Sequence, residues 1–259
     1  LVFTAGLFDP SRITTVIIAG IGLCMISSAG YVFNDIYDAP LDRKNPEKRS
    51  RPLAAGEISV KAAALLMTVL IIVGILTLWS LSVSTAVVGS VIFAITLFYT
   101  LVLKNEPIID VIAISVNFVL RTAVGAIALN VNISPWLVLC TFSLSMILAI
   151  GKRLAETKLL GVEGSTHRSA LKGYSQQSGL LLTGVSATVL LLSYALYSFL
   201  HGPELLMLTL PFAFYAVMRY AVLAAEGTKA ARHPHLLIFD WRIVSATLAW
   251  GIITLLVIY

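Results

Sequence analysis

Charge is what this 259-residue chain has least of: Asp, Glu, Lys and Arg make up only 12% of it, about half the share of an ordinary soluble domain. With 58% hydrophobic residues and a mean hydropathy of +0.93, the composition leaves no room for a separate soluble domain. Cysteine is also scarce. Cys24 and Cys140 lie singly in apolar stretches, which excludes a disulfide framework or a cysteine-based zinc site. Aspartate occurs six times, and three of the six fall within eight residues of one another, at Asp35, Asp38 and Asp42. The chain opens at Leu1 in apolar sequence, without the basic stretch that begins a signal peptide, and residues 1 to 8 are expected to end a further span.

What fills the chain is a succession of apolar windows of about 20 residues, each sufficient to cross a hydrocarbon core of roughly 30 Å as a helix. Hydropathy places spans at 13–35, 60–80, 83–103, 107–129, 134–157, 179–200, 203–224 and 237–258. The expected architecture is a single all-α transmembrane domain over residues 1–259. A net charge of +5 suits nucleic acid in a soluble protein, but here the Lys and Arg residues follow the loops. Sixteen of the eighteen fall in alternate connections, leaving Arg12 on the other side and Arg121 within a span. The positive-inside rule then puts the basic side in the cytoplasm. The expected partner is a lipid bilayer, not nucleic acid.

Three connections on that side, 36–59, 152–178 and 225–242, carry more polar chemistry than orientation requires, and they are expected to converge on one mouth. Gly22, Gly30, Gly74, Gly89, Gly125 and Gly251 lie in spans, where small residues let helices approach closely. Trp79, Trp136 and Trp250 fall near span ends, as interfacial aromatics do.

The richest stretch is Asn34-Asp35-Ile36-Tyr37-Asp38-Ala39-Pro40-Leu41-Asp42. Helical spacing sets Asn34, Asp35 and Asp38 on one face. Pro40 lacks an amide N–H and is expected to break the helix, returning Asp42 from a loop. Carboxylates at the end of a span are costly and usually functional. Three of them with an amide form a hard-oxygen set suited to Mg2+ that also holds phosphate. Helix termination and ion pairs to neighbouring cations are the plainer uses of the same residues.

The pattern N-D-x-x-D-x-x-x-D resembles the first aspartate-rich motif of the UbiA superfamily of intramembrane prenyltransferases. The resemblance implies nine transmembrane helices around a central cavity open to the cytoplasmic side, the first truncated here, with Asp35, Asp38 and Asp42 holding Mg2+ against a diphosphate. The chain departs from the usual pattern in having no second D-x-x-x-D. At the corresponding place stands Gly151-Lys152-Arg153-Leu154-Ala155-Glu156. That replacement of acids by bases is similar to the decaprenyl-phosphate phosphoribosyltransferase branch. Other matches are Asp42-Arg43-x-x-Pro46-x-Lys48-x-x-Arg51-Pro52, Tyr99 with Lys104 and Asp110, and Leu120-Arg121-x-x-x-Gly125. Looser ones are Arg168, Ser169, Leu171 and Tyr174, then Arg219-Tyr220 and Asp240-Trp241-Arg242.

The resemblance implies a plasma (inner) membrane enzyme that moves 5-phosphoribosyl from 5-phosphoribosyl diphosphate to a polyprenyl phosphate. Asn34 would complete or orient the metal shell. Lys48, Arg49, Arg51, Lys152 and Arg153 are candidates for the substrates' phosphates, arginine offering bidentate contacts. Glu156 would position those cations, reach a ribose hydroxyl or form an ion pair within its helix. Arg121 is expected to face the polar interior, where a polar neighbour or the acceptor phosphate can meet it. Lys104 is a further phosphate candidate, although a snorkelling lysine explains it as well. A homo-oligomer remains open. The competing expectations are a UbiA-type prenyltransferase acting on an aromatic or glycerol-phosphate acceptor, and a membrane transporter with a polar cavity.

Overall fold

The structure is a computed structural model and describes residues 8–45, 48–160 and 173–259. Those residues form helices α1 (Pro10–Asp42), α2 (Pro52–Ala55), α3 (Val60–Trp79), α4 (Val83–Leu101), α5 (Ile109–Ala128), α6 (Pro135–Leu160), α7 (Gln176–Leu200), α8 (Leu210–Glu226), α9 (Lys229–Arg232) and α10 (Trp241–Ile258). Short 3-10 turns occupy Leu103–Asn105, Glu204–Thr209 and Pro234–Phe239. Among the described residues there are eight stretches long and apolar enough to cross a membrane. Their large side chains point outward in number, Leu66, Leu76, Leu181, Leu192 and Leu256 among them, as lipid-facing positions do.

The expected spans fall on these helices with two informative differences. The span expected at 203–224 begins as the 3-10 turn Glu204–Thr209 and becomes α-helical at Leu210. Pro211 occupies the first helical turn there, where a missing N–H costs nothing. The second difference is α1, which runs through Pro40 to Asp42. Ala39 is buried in an apolar cluster with Leu53 and Ala63, against which Val32 and Ile36 pack. The next turn is closed by the Arg43 amide donating to the Ala39 carbonyl at 3.2 Å. Packing on both sides of the proline therefore outweighs the one lost hydrogen bond, and the expected break does not occur.

The chain divides into two compact units. The first comprises Asp9–Lys104 and Leu120–Asn132. Its core is Ala19, Ile26, Leu78, Ala86, Ile92 and Val124. Here α1 and α3 touch backbone to backbone: a Cβ on Gly22 would lie 3.2 Å from the Gly74 carbonyl oxygen, and one on Gly74 would lie 3.1 Å from that of Gly22. Gly30 and Gly89 are similarly confined by Thr96 and Leu78, whereas Gly125 and Gly251 face open space. The turn from α3 to α4 is tied by the buried Thr85 hydroxyl, which donates to the Leu78 carbonyl at 2.6 Å.

The second unit comprises Phe8, Asn105–Val119 and Ile133–Tyr259. One core cluster is built on Ile147, Leu154, Ala155, Leu190, Tyr220 and Leu223, another on Val111, Ala149, Ile150 and Tyr174. Ser175 starts α7 through a reciprocal cap with Ser178, satisfying amides that a helix start otherwise leaves open. Asp240 caps α10, accepting from the Ile243 amide at 3.1 Å, and pairs with Arg219 at 3.0 Å. Burial raises the Asp240 carboxyl, but the hydrogen bonds from Ile243 and Arg219 outweigh it and leave the group below its ordinary value.

Candidate active site

Because α1 is continuous, Asp35, Asp38 and Asp42 stand at i, i+3 and i+7 on a single helix face. Asn34 adjoins them and its side-chain oxygen accepts from the Thr100 hydroxyl of α4 at 3.5 Å. The chain leaving α1 turns back through hydrogen bonds such as the Arg51 amide to the Lys48 carbonyl at 3.0 Å. It then enters α2, whose Leu53 and Ala54 are buried, and leaves it at Gly56 with φ 81°, a left-handed position that favours glycine. The buried Leu53 anchors this segment against α1, and the neighbouring Arg51 is thereby carried over the acid face.

Arg51 joins two of the acids. Its Nη1 lies 2.7 Å from Asp35 Oδ1 and 3.0 Å from Asp42 Oδ2. Asp42 is buried, at 4% exposure, and Lys48 Nζ reaches its other oxygen at 3.8 Å. Asp38 pairs instead with Lys104 Nζ at 2.5 Å, which also lies 4.9 Å from the Tyr37 ring centroid in cation–π range. Lys104 comes from the 3-10 turn that follows α4. Lys48 and Arg49 are exposed, and Arg121 is half-buried on α5 within the same unit.

The donor set can be judged for a divalent cation on this geometry. Two carboxylates seven residues apart already converge on one positive atom, the Arg51 Nη1, and oxygen donors are what Mg2+ requires. The third carboxylate is turned to Lys104, and among the described residues no three metal-type side chains yet close on one point. In donor chemistry, hard oxygens on one helix face, the residues fit such an ion.

A second polar cluster lies within the other unit, at the end of α6. Gly151 packs under Tyr220, where a Cβ would sit 2.6 Å from the phenol oxygen. Arg153, at 2% exposure, turns inward, its Nε 2.8 Å from Asp110 Oδ2 and its Nη1 3.1 Å from Glu156 Oε2. The other Asp110 oxygen accepts from the Tyr174 hydroxyl at 2.7 Å, and that phenol oxygen in turn accepts from the Ile108 amide at 2.9 Å. Ile108 has φ 68°, an unusual conformation for a β-branched residue that surrounding contacts must hold. Burial, and then the hydrogen bond to Asp110, push the Tyr174 phenol well above its ordinary value. Lys152 is the outward member of the segment, with Nζ 4.0 Å from Glu156 Oε1.

The expected residues thus gather as Asn34, Asp35, Asp38, Asp42, Lys48, Arg51 and Lys104 in one unit, and as Lys152, Arg153 and Glu156 in the other. The pairing of Asp110 with Arg153 was the part that spacing did not reveal. The available signal was that a carboxylate entering an apolar span needs a buried partner. Pro46, Arg168, Ser169 and Leu171 lie outside the described residues, as do residues 1–7.

Comparison with known proteins agrees with these motifs. Residues 1–257 match the UbiA prenyltransferase family, and the chain belongs to that family as a membrane-embedded transferase. It is similar to the decaprenyl-phosphate phosphoribosyltransferase of Mycolicibacterium smegmatis, at 29% identity over 90% of this chain and 77% of the relative. The enzyme of that name from Corynebacterium glutamicum is 33% identical over 87% of this chain and 70% of the relative. Among solved structures, a UbiA homolog from Archaeoglobus fulgidus bound to GPP and Mg2+ superposes with TM-score 0.73 at 17% identity, covering 93% of this chain and 87% of the other. That likeness establishes the UbiA fold.

Proposed function

We propose that this protein transfers the 5-phosphoribosyl group of 5-phosphoribosyl diphosphate to a polyprenyl phosphate, with its active site on the cytoplasmic side of the plasma membrane. The observation that carries this reading is the cationic segment Lys152-Arg153-x-x-Glu156 where a prenyl-diphosphate enzyme would carry a second pair of carboxylates. Relatives named for the phosphoribosyl transfer, similar along most of the chain, support it.

In the reaction, the bond between ribosyl C1 and the diphosphate oxygen breaks and its electrons leave with diphosphate. A bond then joins C1 to a phosphate oxygen of the lipid. That oxygen is already anionic, so no strong general base is required. Asp35, Asp38 and Asp42 would hold Mg2+, which when bound offsets charge on the leaving diphosphate. Arg51, Lys48 and Lys104 stand beside those acids as phosphate ligands, with Asn34 orienting the shell and Arg49 at its exposed edge. Arg121 is assigned to the acceptor phosphate. Lys152 is the outward cation of the second cluster, and Glu156, oriented by Arg153, is assigned to a ribose hydroxyl. Arg153 acts through Glu156, because its own guanidinium is committed to Asp110.

The test is incubation of purified protein and Mg2+ with 5-phosphoribosyl diphosphate and a panel of polyprenyl phosphates, followed by mass analysis of the lipid. A parallel arm offers a prenyl diphosphate with an aromatic acceptor. A phosphoribosylated lipid is expected; product only in the parallel arm replaces this reading with ordinary prenyl transfer, and flux across liposomes without any product replaces it with transport.

A further inference from the structure

Resting on the reading above, we infer that Arg51 and Lys104 are exchangeable counterions: they hold the carboxylates when no metal is present and turn to the donor's diphosphate when metal takes their place. The structure pairs each acid with a resident cation, Asp35 and Asp42 with Arg51 and Asp38 with Lys104. A metal taking the oxygens these cations hold, Asp35 Oδ1, Asp42 Oδ2 and Asp38 Oδ1, would displace both. The displaced ammonium and guanidinium would then stand beside carboxylates whose charge the divalent ion has largely offset, and the donor's diphosphate is the anion that would restore charge balance.

The two partners come from different chain segments, the turn before α2 and the turn after α4. Their exchange therefore joins three segments of one unit to the ligation state of α1. The consequence is a coupling between metal and diphosphate: each removes the competitor that weakens the other, and the two bind more tightly together than apart. A lone metal ion meets a face already neutralised, and a lone diphosphate meets cations already engaged.

The test uses Mn2+ as a paramagnetic probe on the full chain in lipid nanodiscs, reading free ion by electron paramagnetic resonance with no phosphate present. Lys104→Met is expected to bind Mn2+ about tenfold more tightly than the parent, a coupling of ordinary size. In saturating Mg2+ the same variant is expected to bind inorganic pyrophosphate about tenfold more weakly. Arg51→Gln is a second route to the same pair of opposite shifts if the first variant does not fold.

Lys44→Met removes an exposed cation of the same segment, and screening should limit its effect on either ligand to about twofold. Metal affinity unchanged or lowered in Lys104→Met and Arg51→Gln, or a Lys44→Met shift equal to theirs, overturns the exchange. Asp38→Asn separates this from the underlying reading. If it leaves Mn2+ binding intact, the metal assignment itself fails, whereas lost binding in Asp38→Asn with flat cation variants removes the exchange alone.

Discussion

Arg153 and Asp110, 43 residues apart in the chain, form a buried ion pair at 2.8 Å. Both side chains are almost wholly enclosed. The pair links the start of α5 to the end of α6, and Tyr174 completes it from the segment that enters α7. A cation spent in this way is structural support for its neighbours, with Glu156 as its outward contact.

Removing one member leaves a charge buried alone. Asp110→Ala should cost about 3–5 kcal/mol of stability, read as a lower unfolding temperature in detergent. The double change Asp110→Leu with Arg153→Met should recover most of that loss, because an apolar pair of similar volume needs no compensation. A double variant as unstable as the single would show that the pair's contribution is not its charge.

Tyr174 gives this cluster an alkaline limit. Its phenol is held above the ordinary value of 10.0, first by burial and then by Asp110, so the unfolded chain ionises first as pH rises. The group's contribution to stability is therefore intact below pH 10.0 and declines as pH climbs beyond it. In Tyr174→Phe that part of the alkaline slope should be absent from a pH series of unfolding temperatures.

The three acids should separate by burial. Asp38→Ala and Asp35→Ala should nearly abolish lipid phosphoribosylation. Asp35→Ala should leave the unfolding temperature within a few degrees, since Asp35 and Arg51 are both more than a third exposed, whereas Asp38→Ala should also lower it, because Asp38 and Lys104 are mostly enclosed. Asp42→Ala should lose activity and stability together, because its carboxylate is buried between Arg51 and Lys48. Transfer and thermal unfolding measured on the same preparations distinguish the two classes.

Lys152→Ala should raise the concentration of phosphoribosyl donor needed for half-maximal rate by roughly tenfold or more, the loss of a charge-assisted phosphate contact. Its unfolding temperature should be unchanged, given the exposure of the side chain. Unaltered kinetics would remove Lys152 from the site.

Gly74→Val tests the seam between α1 and α3. The added methyls would press on Ile26 and on the Gly22 carbonyl, at about 1–3 kcal/mol or more of overpacking. Gly125→Ala, where nothing lies within 4 Å, should be neutral in the same unfolding assay.

Much of this was legible in one dimension because the bilayer makes apolar length a direct measure of helix position. The spans expected at 60–80 and 83–103 became α3 and α4 with ends displaced by two residues or fewer. The acid pattern and its missing second copy likewise pointed to the family. Pro40 was misjudged because a helix break is a local preference, while the burial of Ala39 against Leu53 and Ala63 is tertiary and has no signature in the residues adjoining the proline. Arg153 carried the same difficulty: a cation in a G-K-R segment reads alike whether it faces a phosphate or a carboxylate, and only the fold brings Asp110 to it.

The unbroken turn after Pro40 has one more implication. Three carboxylates riding on one rod cannot spread or gather independently, so the distances between their Cα atoms are constants of the site. Any change in how the three carboxylates converge must be made by their rotamers and by the segments that present Arg51 and Lys104. A family member could be retuned at those two cations without altering a single acid.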